Sequence, residues 1–356
     1  MASLNRRTLL AASATAPALA TPALAQSRIR WRMATSWSKT LPGPGVAAAH
    51  IARRVGELSD GRFEIQHFAA GEIVPGLQVL DAVSNGAVEM GHTAAFYWVG
   101  KMPASVFFTT VPFGMGPTEH QAWIERGGGQ ALWDDLYAPF GVKALLAGNT
   151  GASMGGWFKQ PVKSLSDVKG LRLRVQGLGA EVWQRLGATG LSIPMPDILP
   201  ALSTGVVDGV EFLSPVNDLP LGLHRPAPHY YAPGFNKPNG AAEMLVNLKA
   251  FETLPSDFRA MLAAAAAEAH GRGLAEAETE NGAALVELIS SHGVQVDRFP
   301  ADLVQAARKA ADEVVAEMAA KTPQAGRIHA SYKAFRESTR AWRRVGIAGL
   351  ALMNES

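Results

Sequence analysis

The chain has 356 residues, 47% of them hydrophobic, with 33 basic residues against 31 acidic ones and a formal charge of +2. So balanced a charge, without a long basic run, argues against binding to nucleic acid or to a membrane surface. Cysteine is absent, which excludes disulfides, thiolate metal sites and a cysteine nucleophile, and suits an exported bacterial protein whose core needs no cross-link.

In chain order, the first element is an address. Arg6-Arg7 precedes Thr8-Leu9-Leu10 and a mildly apolar, Ala-rich run that closes on Ala23-Leu24-Ala25. Positive pair, apolar stretch and small-residue cleavage site together predict a signal peptide over residues 1–25, with the mature chain starting near Gln26. The alternative is a frayed cytosolic N-terminus. The paired arginines, and an apolar run diluted by Ser13, Thr15 and Pro17, point to the twin-arginine (Tat) route and a periplasmic location. Cleavage removes Arg6, Arg7 and no acid, so 31 basic residues then balance 31 acidic ones. The run Leu9 to Ala20 falls short of the ~20 residues of a membrane span, and no later uncharged segment reaches that length. A soluble mature protein of two domains is expected.

Alternating segments predict strands around Ile29, Trp31 and Met33, at Phe63 and Ile65, and at Leu171, Leu173 and Val175. Helical patterns lie between them at 46–58, from near Pro75, and at 118–137, 178–187 and 196–204. Strands alternating with helices define an α/β class with two lobes of mainly parallel sheet. Gly127-Gly128-Gly129 reads as a flexible turn, because it lacks the strand-to-helix setting of a phosphate loop. The C-terminal third is helical at 256–292, 301–321 and 326–350. A helix of ~35 residues is about 50 Å long. Segment 256–292 is therefore either one helix that bridges lobes or reaches a neighbouring subunit, or two helices broken at Gly271–Gly273. The expected division is 26–147 plus 236–275 for the first lobe and 148–235 plus 290–345 for the second.

One internal echo supports two similar lobes. Pro75 to Glu89 and Pro194 to Asp208 share a plan in which proline opens a helix, Gly86 or Gly205 closes it in the left-handed conformation, and a strand follows.

Few motifs carry chemistry. Gly151-Ala152-Ser153-Met154-Gly155 satisfies G-x-S-x-G, the nucleophile elbow of serine hydrolases. The Gly155-Gly156-Trp157-Phe158 and Pro161 that follow make a poor helix start, so a loop lining a cleft competes with a nucleophile at Ser153. The nine histidines are scattered, with no pair at metal-ligand spacing. Arg172 and Arg174 share one face of a strand, opposite Leu171, Leu173 and Val175. Arg174 stands at the strand's C-terminal end before a glycine turn, where ligands of open α/β sheets bind. A guanidinium there can grip a carboxylate through two parallel hydrogen bonds. Arg172 reads as a surface ion pair. Phe96, Tyr97 and Trp98, with Trp37 and Trp157, are candidates for apolar pocket walls or for core. Asn149 is a candidate donor to a keto or hydroxyl oxygen.

These residues are ordered as in a known family. Ala70-Gly-Glu-Ile-Val-Pro-Gly-Leu-Gln78, Gly148-Asn-Thr-Gly151, Met154-Gly-Gly-Trp-Phe158, Lys169-Gly-Leu-Arg-Leu-Arg-Val175, Val207-Asp-Gly-Val-Glu211 and Tyr230-Tyr-Ala-Pro-Gly234 are involved. Over nearly its whole mature length the chain resembles the periplasmic binding proteins of tripartite ATP-independent (TRAP) transporters, in particular the branch that binds 2-oxo and related monocarboxylic acids. The resemblance implies two α/β lobes joined by crossing strands and a long helix, small and large membrane subunits as partners, and a homodimer through the C-terminal helices. It assigns Arg174 to the substrate carboxylate. It also implies a calcium or sodium ion that bridges ligand and protein, held by a Gln, a Glu-Trp pair and a further Glu. Glu211 matches the first acid, whereas Ser153 stands in place of the Gln, Phe212 in place of the Trp and Lys237 in place of the second Glu. An ion needs several oxygen ligands, so the site reads as degraded. Either the Lys237 ammonium replaces the ion and pairs with Glu211, or Lys237 points to solvent. No other cofactor and no catalysis are expected. The competing classes are an exported serine esterase built on Ser153 and a receptor for an ATP-driven transporter.

Overall fold

The structure is a computed structural model that describes residues 28–354. The expected signal peptide lies outside the described residues. Alternation sets the first strand, β1 (Ile29–Thr35): Trp31 and Met33 are buried while Arg30 and Arg32 face out. The other strands are β2 (Phe63–Phe68), β3 (Met90–Thr93), β4 (Val142–Asn149), β5 (Gly156–Phe158), β6 (Arg172–Arg174), β7 (Thr189–Leu191), β8 (Gly209–Val210), β9 (His229–Tyr231), β10 (Ala241–Asn247) and β11 (Gln295–Asp297).

They form two mixed sheets, of order β2-β1-β3-β10-β4 and β11-β9-β5-β8-β6-β7. The parallel part of the first is β2-β1-β3, wound through helices Pro44–Leu58 and Val79–Ser84. The parallel part of the second is β7-β6-β8, wound through Leu178–Arg185 and Ile198–Thr204. Both have the same topology, and the sequence echo falls on matching places. Gly86 (φ 76°) and Gly205 (φ 80°) end the second helix of each unit in the left-handed conformation that favours glycine. Each sheet is completed by one antiparallel strand, β10 beside β3 and β5 beside β8.

Two segments connect the lobes, residues 150–155 and 232–240, and they run side by side. The Thr150 amide donates to the Gly240 carbonyl at 3.2 Å, the Ser153 amide to Lys237 at 3.0 Å and the Gly234 amide to Ser153 at 2.9 Å. Asn149 and Asn239 brace them, amide to amide, at 2.8 Å.

The segment 256–292 is one continuous helix, Ser256–His292, of 37 residues. No break occurs at the glycines. A Cβ on Gly273 would lie 2.6 Å from the Asn149 carbonyl oxygen, whereas one on Gly271 would meet open space. Gly273 therefore serves close packing of the helix on the end of β4. The first half of the helix buries Phe258, Leu262 and Ala266 against Trp31, Met33 and Phe63 of the first lobe. Its second half reaches the other lobe, where Asn281 accepts from the Val216 amide at 3.0 Å and Leu288 enters the larger core. The helix bridges the lobes.

Two expected helices differ. Segment 118–137 is two helices, Pro117–Arg126 and Gly129–Tyr137, because Gly128 turns left-handed (φ 84°) between them. Segment 326–350 starts earlier, at Pro323, where the Thr322 hydroxyl caps the Ala325 amide. It breaks after Ser338 and continues through a π-helical stretch, Arg343–Ile347. Among the described residues no helix is long and apolar enough to cross a membrane.

The two glycines give a paired test. Gly271→Ala should stabilise the protein by about 0.5–1 kcal/mol, because alanine has the lower entropic cost in a helix. Gly273→Ala should destabilise it by about 1–3 kcal/mol through overpacking on β4. Urea unfolding midpoints of the two variants measure both; equal shifts would contradict this account.

Candidate functional site

Strand β6 ends on Arg174, whose side chain is 1% exposed. Its Nε donates to the Ile193 carbonyl at 3.1 Å and its Nη1 to the Glu211 carbonyl at 2.7 Å. Its Cζ lies 5.5 Å from the centre of the Phe212 ring. Two carbonyls thus fix the guanidinium plane, the Tyr97 hydroxyl bonds to it as well, and further N–H donors remain for a ligand. Among the described residues no carboxylate forms an ion pair with Arg174. Burial pulls its pKa below the ordinary arginine value, while Tyr97 and Glu211 oppose the shift. Arg172, two residues earlier, is exposed and grips Asp208 with both prongs, at 3.0 and 2.7 Å.

The second cation comes from the crossing segment 232–240. Lys237 is 2% exposed. Its ammonium donates to the Phe212 carbonyl and lies 3.1 Å from Glu211 Oε1, which has no other partner. Glu211 Oε2 accepts from the Asn236 amide at 2.6 Å. Burial lowers the Lys237 pKa and Glu211 holds it up. So the ammonium meets two oxygens, one carboxylate and one carbonyl, of the kind that bind hard cations.

Arg174 and Lys237 meet at a cavity between the lobes, with Tyr97, Trp37 and Phe96 from the first lobe and Phe212 from the second. Both charged residues that line it are cationic. Its volume is about 30 Å3; one water needs about 10–15 Å3 on that measure, so only a compact ligand fits. The Trp37 wall is fixed from behind. Its indole donates to His92 Nδ1 at 2.9 Å, and His92 Nε2 donates to the Ala147 carbonyl at 2.9 Å. Burial brings the His92 pKa down to about 4, so the ring is neutral with its proton on Nε2.

Other residues singled out from sequence lie elsewhere. The Asn149 amide donates to Asn239 and accepts from the Gly151 amide at 2.9 Å, so it braces the crossing. Trp157 stacks on Tyr230, 3.7 Å between ring centres, and donates to Asp218 at 2.8 Å. Trp98 donates to Glu243 at 2.7 Å. Ser153 is buried, and its hydroxyl has no hydrogen-bond partner, hence neither base nor orienting group. Gly155 leads into strand β5 rather than a helix, so the elbow of a hydrolase is absent and the esterase reading has no support. The cavity is also lined by Thr150, Leu213 and residues 240–242. Sequence reading passed over these small neutral residues, because only the juxtaposition of the two crossings brings them to one place.

Two α/β lobes, paired crossings and a buried cationic cavity between them define a two-lobed solute-binding protein. The model of the bacterial extracellular solute-binding proteins, family 7 (DctP), matches residues 33–322, and the chain belongs to that family. It is 43% identical over 317 residues to a monocarboxylate 2-oxoacid-binding periplasmic protein of a Nostoc species, covering 89% of this chain and 86% of the relative. A TRAP transporter solute-binding protein from Bordetella bronchiseptica, a mixed-occupancy dimer with calcium and picolinate, is 38% identical with a TM-score of 0.90, over 92% of this chain and 97% of that one. A TRAP periplasmic solute-binding protein from Pseudoalteromonas atlantica, with bound sodium and pyruvate, is 36% identical with a TM-score of 0.88, over 91% and 99%. Family members are binding proteins rather than enzymes.

Behind the cavity, Glu243 of β10 accepts from Trp98 and, at 3.0 Å, from the Tyr137 hydroxyl. Burial pushes its carboxyl up to about 8, against the two donors. A raised carboxyl pKa means that the folded state holds the proton longer than the unfolded chain. Its contribution is full below the usual value of 4.5 and is lost as pH rises to about 8. Glu243→Gln keeps the shape without the proton. Its stability relative to wild type should therefore rise by about 1 kcal/mol or more between pH 5 and pH 8.5, as read by urea unfolding at each pH. A pH-independent difference would show that Glu243 is not protonated in the folded protein.

Proposed function

We propose that this protein is the periplasmic receptor of a TRAP transporter and captures a small monocarboxylate, a 2-oxo or 2-hydroxy acid, for delivery to the small and large membrane subunits. The observation that carries this reading is the buried guanidinium of Arg174, bonded on the protein side only to neutral groups, two carbonyls and the Tyr97 hydroxyl. An isolated buried charge is costly by several kcal/mol, and a ligand carboxylate supplies the missing counter-charge. Glu211 answers Lys237, whereas Arg174 has no carboxylate in salt-bridge contact, so a ligand carboxylate can serve as its direct partner. The small volume favours acids of few heavy atoms, and the similar proteins with pyruvate or picolinate are in keeping with that.

Lys237 stands in for the cation. Its ammonium takes Glu211 and the Phe212 carbonyl and leaves a donor for the ligand carboxylate, so binding needs no calcium or sodium. Closure of the two lobes buries the acid once its oxygens are matched. The first 25 residues direct export by the twin-arginine route. Exposed apolar side chains of the terminal helix, Trp342 (68%), Val345 (77%) and Leu352 (70%), supply a face for a second copy.

A thermal-shift and calorimetric screen of the mature protein against small carboxylates tests this. Pyruvate or a close relative should raise the melting temperature, because it binds only the folded state. Arg174→Ala should abolish the rise. Arg174→Lys should weaken binding more than tenfold, because an ammonium cannot form the bidentate grip. No response to any monocarboxylate would defeat the reading. In the same titrations a chelator should leave affinity within about twofold; loss of binding on chelation would reject the role of Lys237.

A further inference from the structure

The cavity contains one polar side chain that the fold itself leaves unused. Thr150 is 5% exposed and lines the cavity, and its hydroxyl has no hydrogen-bond partner. Its backbone is fully engaged: the amide donates to Gly240 at 3.2 Å, and the carbonyl accepts from the Ser214 hydroxyl at 3.4 Å. The side chain is also wedged in place. A Cβ on Gly43 would lie 3.0 Å from the Thr150 methyl, and one on Gly240 would lie 1.9 Å from its hydroxyl oxygen. Only glycine at both positions leaves room for this β-branched side chain, with the hydroxyl on the Gly240 side, where Gly240 also lines the cavity.

A buried hydroxyl without a partner calls for an explanation, and here the explanation is the ligand. We propose that the Thr150 hydroxyl donates to the 2-oxo oxygen of the bound acid and selects 2-oxo acids over plain carboxylates of the same size. The inference rests on reading the cavity as a monocarboxylate site. Thr150 and Arg174 line the same small cavity, so an acid held there by its carboxylate on Arg174 is the partner available to the Thr150 hydroxyl. Asn149, the sequence candidate for that oxygen, has its amide committed to Asn239 and Gly151. A site that offers a hydrogen bond discriminates against the ligand that cannot use it, because the hydroxyl then stays buried and unmatched.

Calorimetric titration of wild type, Thr150→Ser and Thr150→Val with pyruvate and with propionate, which lacks the oxo group, decides the matter. Thr150→Val, nearly the same shape without the hydroxyl, should weaken pyruvate about tenfold and propionate by no more than about twofold. Thr150→Ser should keep the wild-type preference. Equal weakening of both acids by Thr150→Val would mark a packing role and overturn the proposal, as would an unchanged affinity for pyruvate. Should Thr150→Val fail to fold, Thr150→Ala removes the hydroxyl without added bulk and is read against the same two ligands. Wild type that binds neither these nor any other monocarboxylate would instead overturn the proposed function on which this rests.

Discussion

A guanidinium sealed from water without an acid beside it organises this molecule. The Arg174 side chain is held by the carbonyls of Ile193 and Glu211, which fix its direction and leave its charge unanswered. Unlike Lys237, which is paired with Glu211, such a residue is stable only because the surrounding fold holds it there. The cation lies between the two lobes, where an anion that matched it would favour their contact.

The place where the lobes meet is built from the two crossings. Residues 150–155 and 232–240 are hydrogen-bonded to each other at three points, Thr150–Gly240, Ser153–Lys237 and Gly234–Ser153. They also carry the groups that a ligand would touch between the lobes, Thr150 on one and Lys237 on the other. The bridging helix lies directly against the start of the first crossing, with Gly273 on Asn149. A ligand contact at the crossings thus falls on the segments that join the two lobes.

Two similar proteins have calcium with picolinate and sodium with pyruvate bound; in this protein the ammonium meets a carboxylate and a carbonyl, oxygens of the kind that bind such ions. A lysine contributes one charge and three donors without depending on an ion's concentration. Ser153, short and with its hydroxyl away from any partner, makes no hydrogen bond to Lys237 or Glu211 through its side chain.

Much of this was legible in the residues alone. Alternation located β1, β2 and β6, the Pro-to-Gly echo reported two parallel units of the same winding, and an arginine at the end of β6 marked the site. These are local signals: period, caps and strand ends depend on near neighbours and survive in one dimension. The sequence left open whether Gly271–Gly273 breaks the long helix, because a glycine for close packing and a glycine for a bend look the same until the opposing backbone is known. It also could not separate wall from core among the aromatics, since Trp98 and Trp157 turn to Glu243 and Asp218 only through contacts 145 and 61 residues away. The unpartnered hydroxyl of Thr150 was invisible for the same reason. Local pattern determined the α/β class and the two units, and the resemblance to a family singled out Arg174; which neutral groups line the cavity beside it was decided by the tertiary structure, because orientation and satisfaction are properties of pairs distant in the chain.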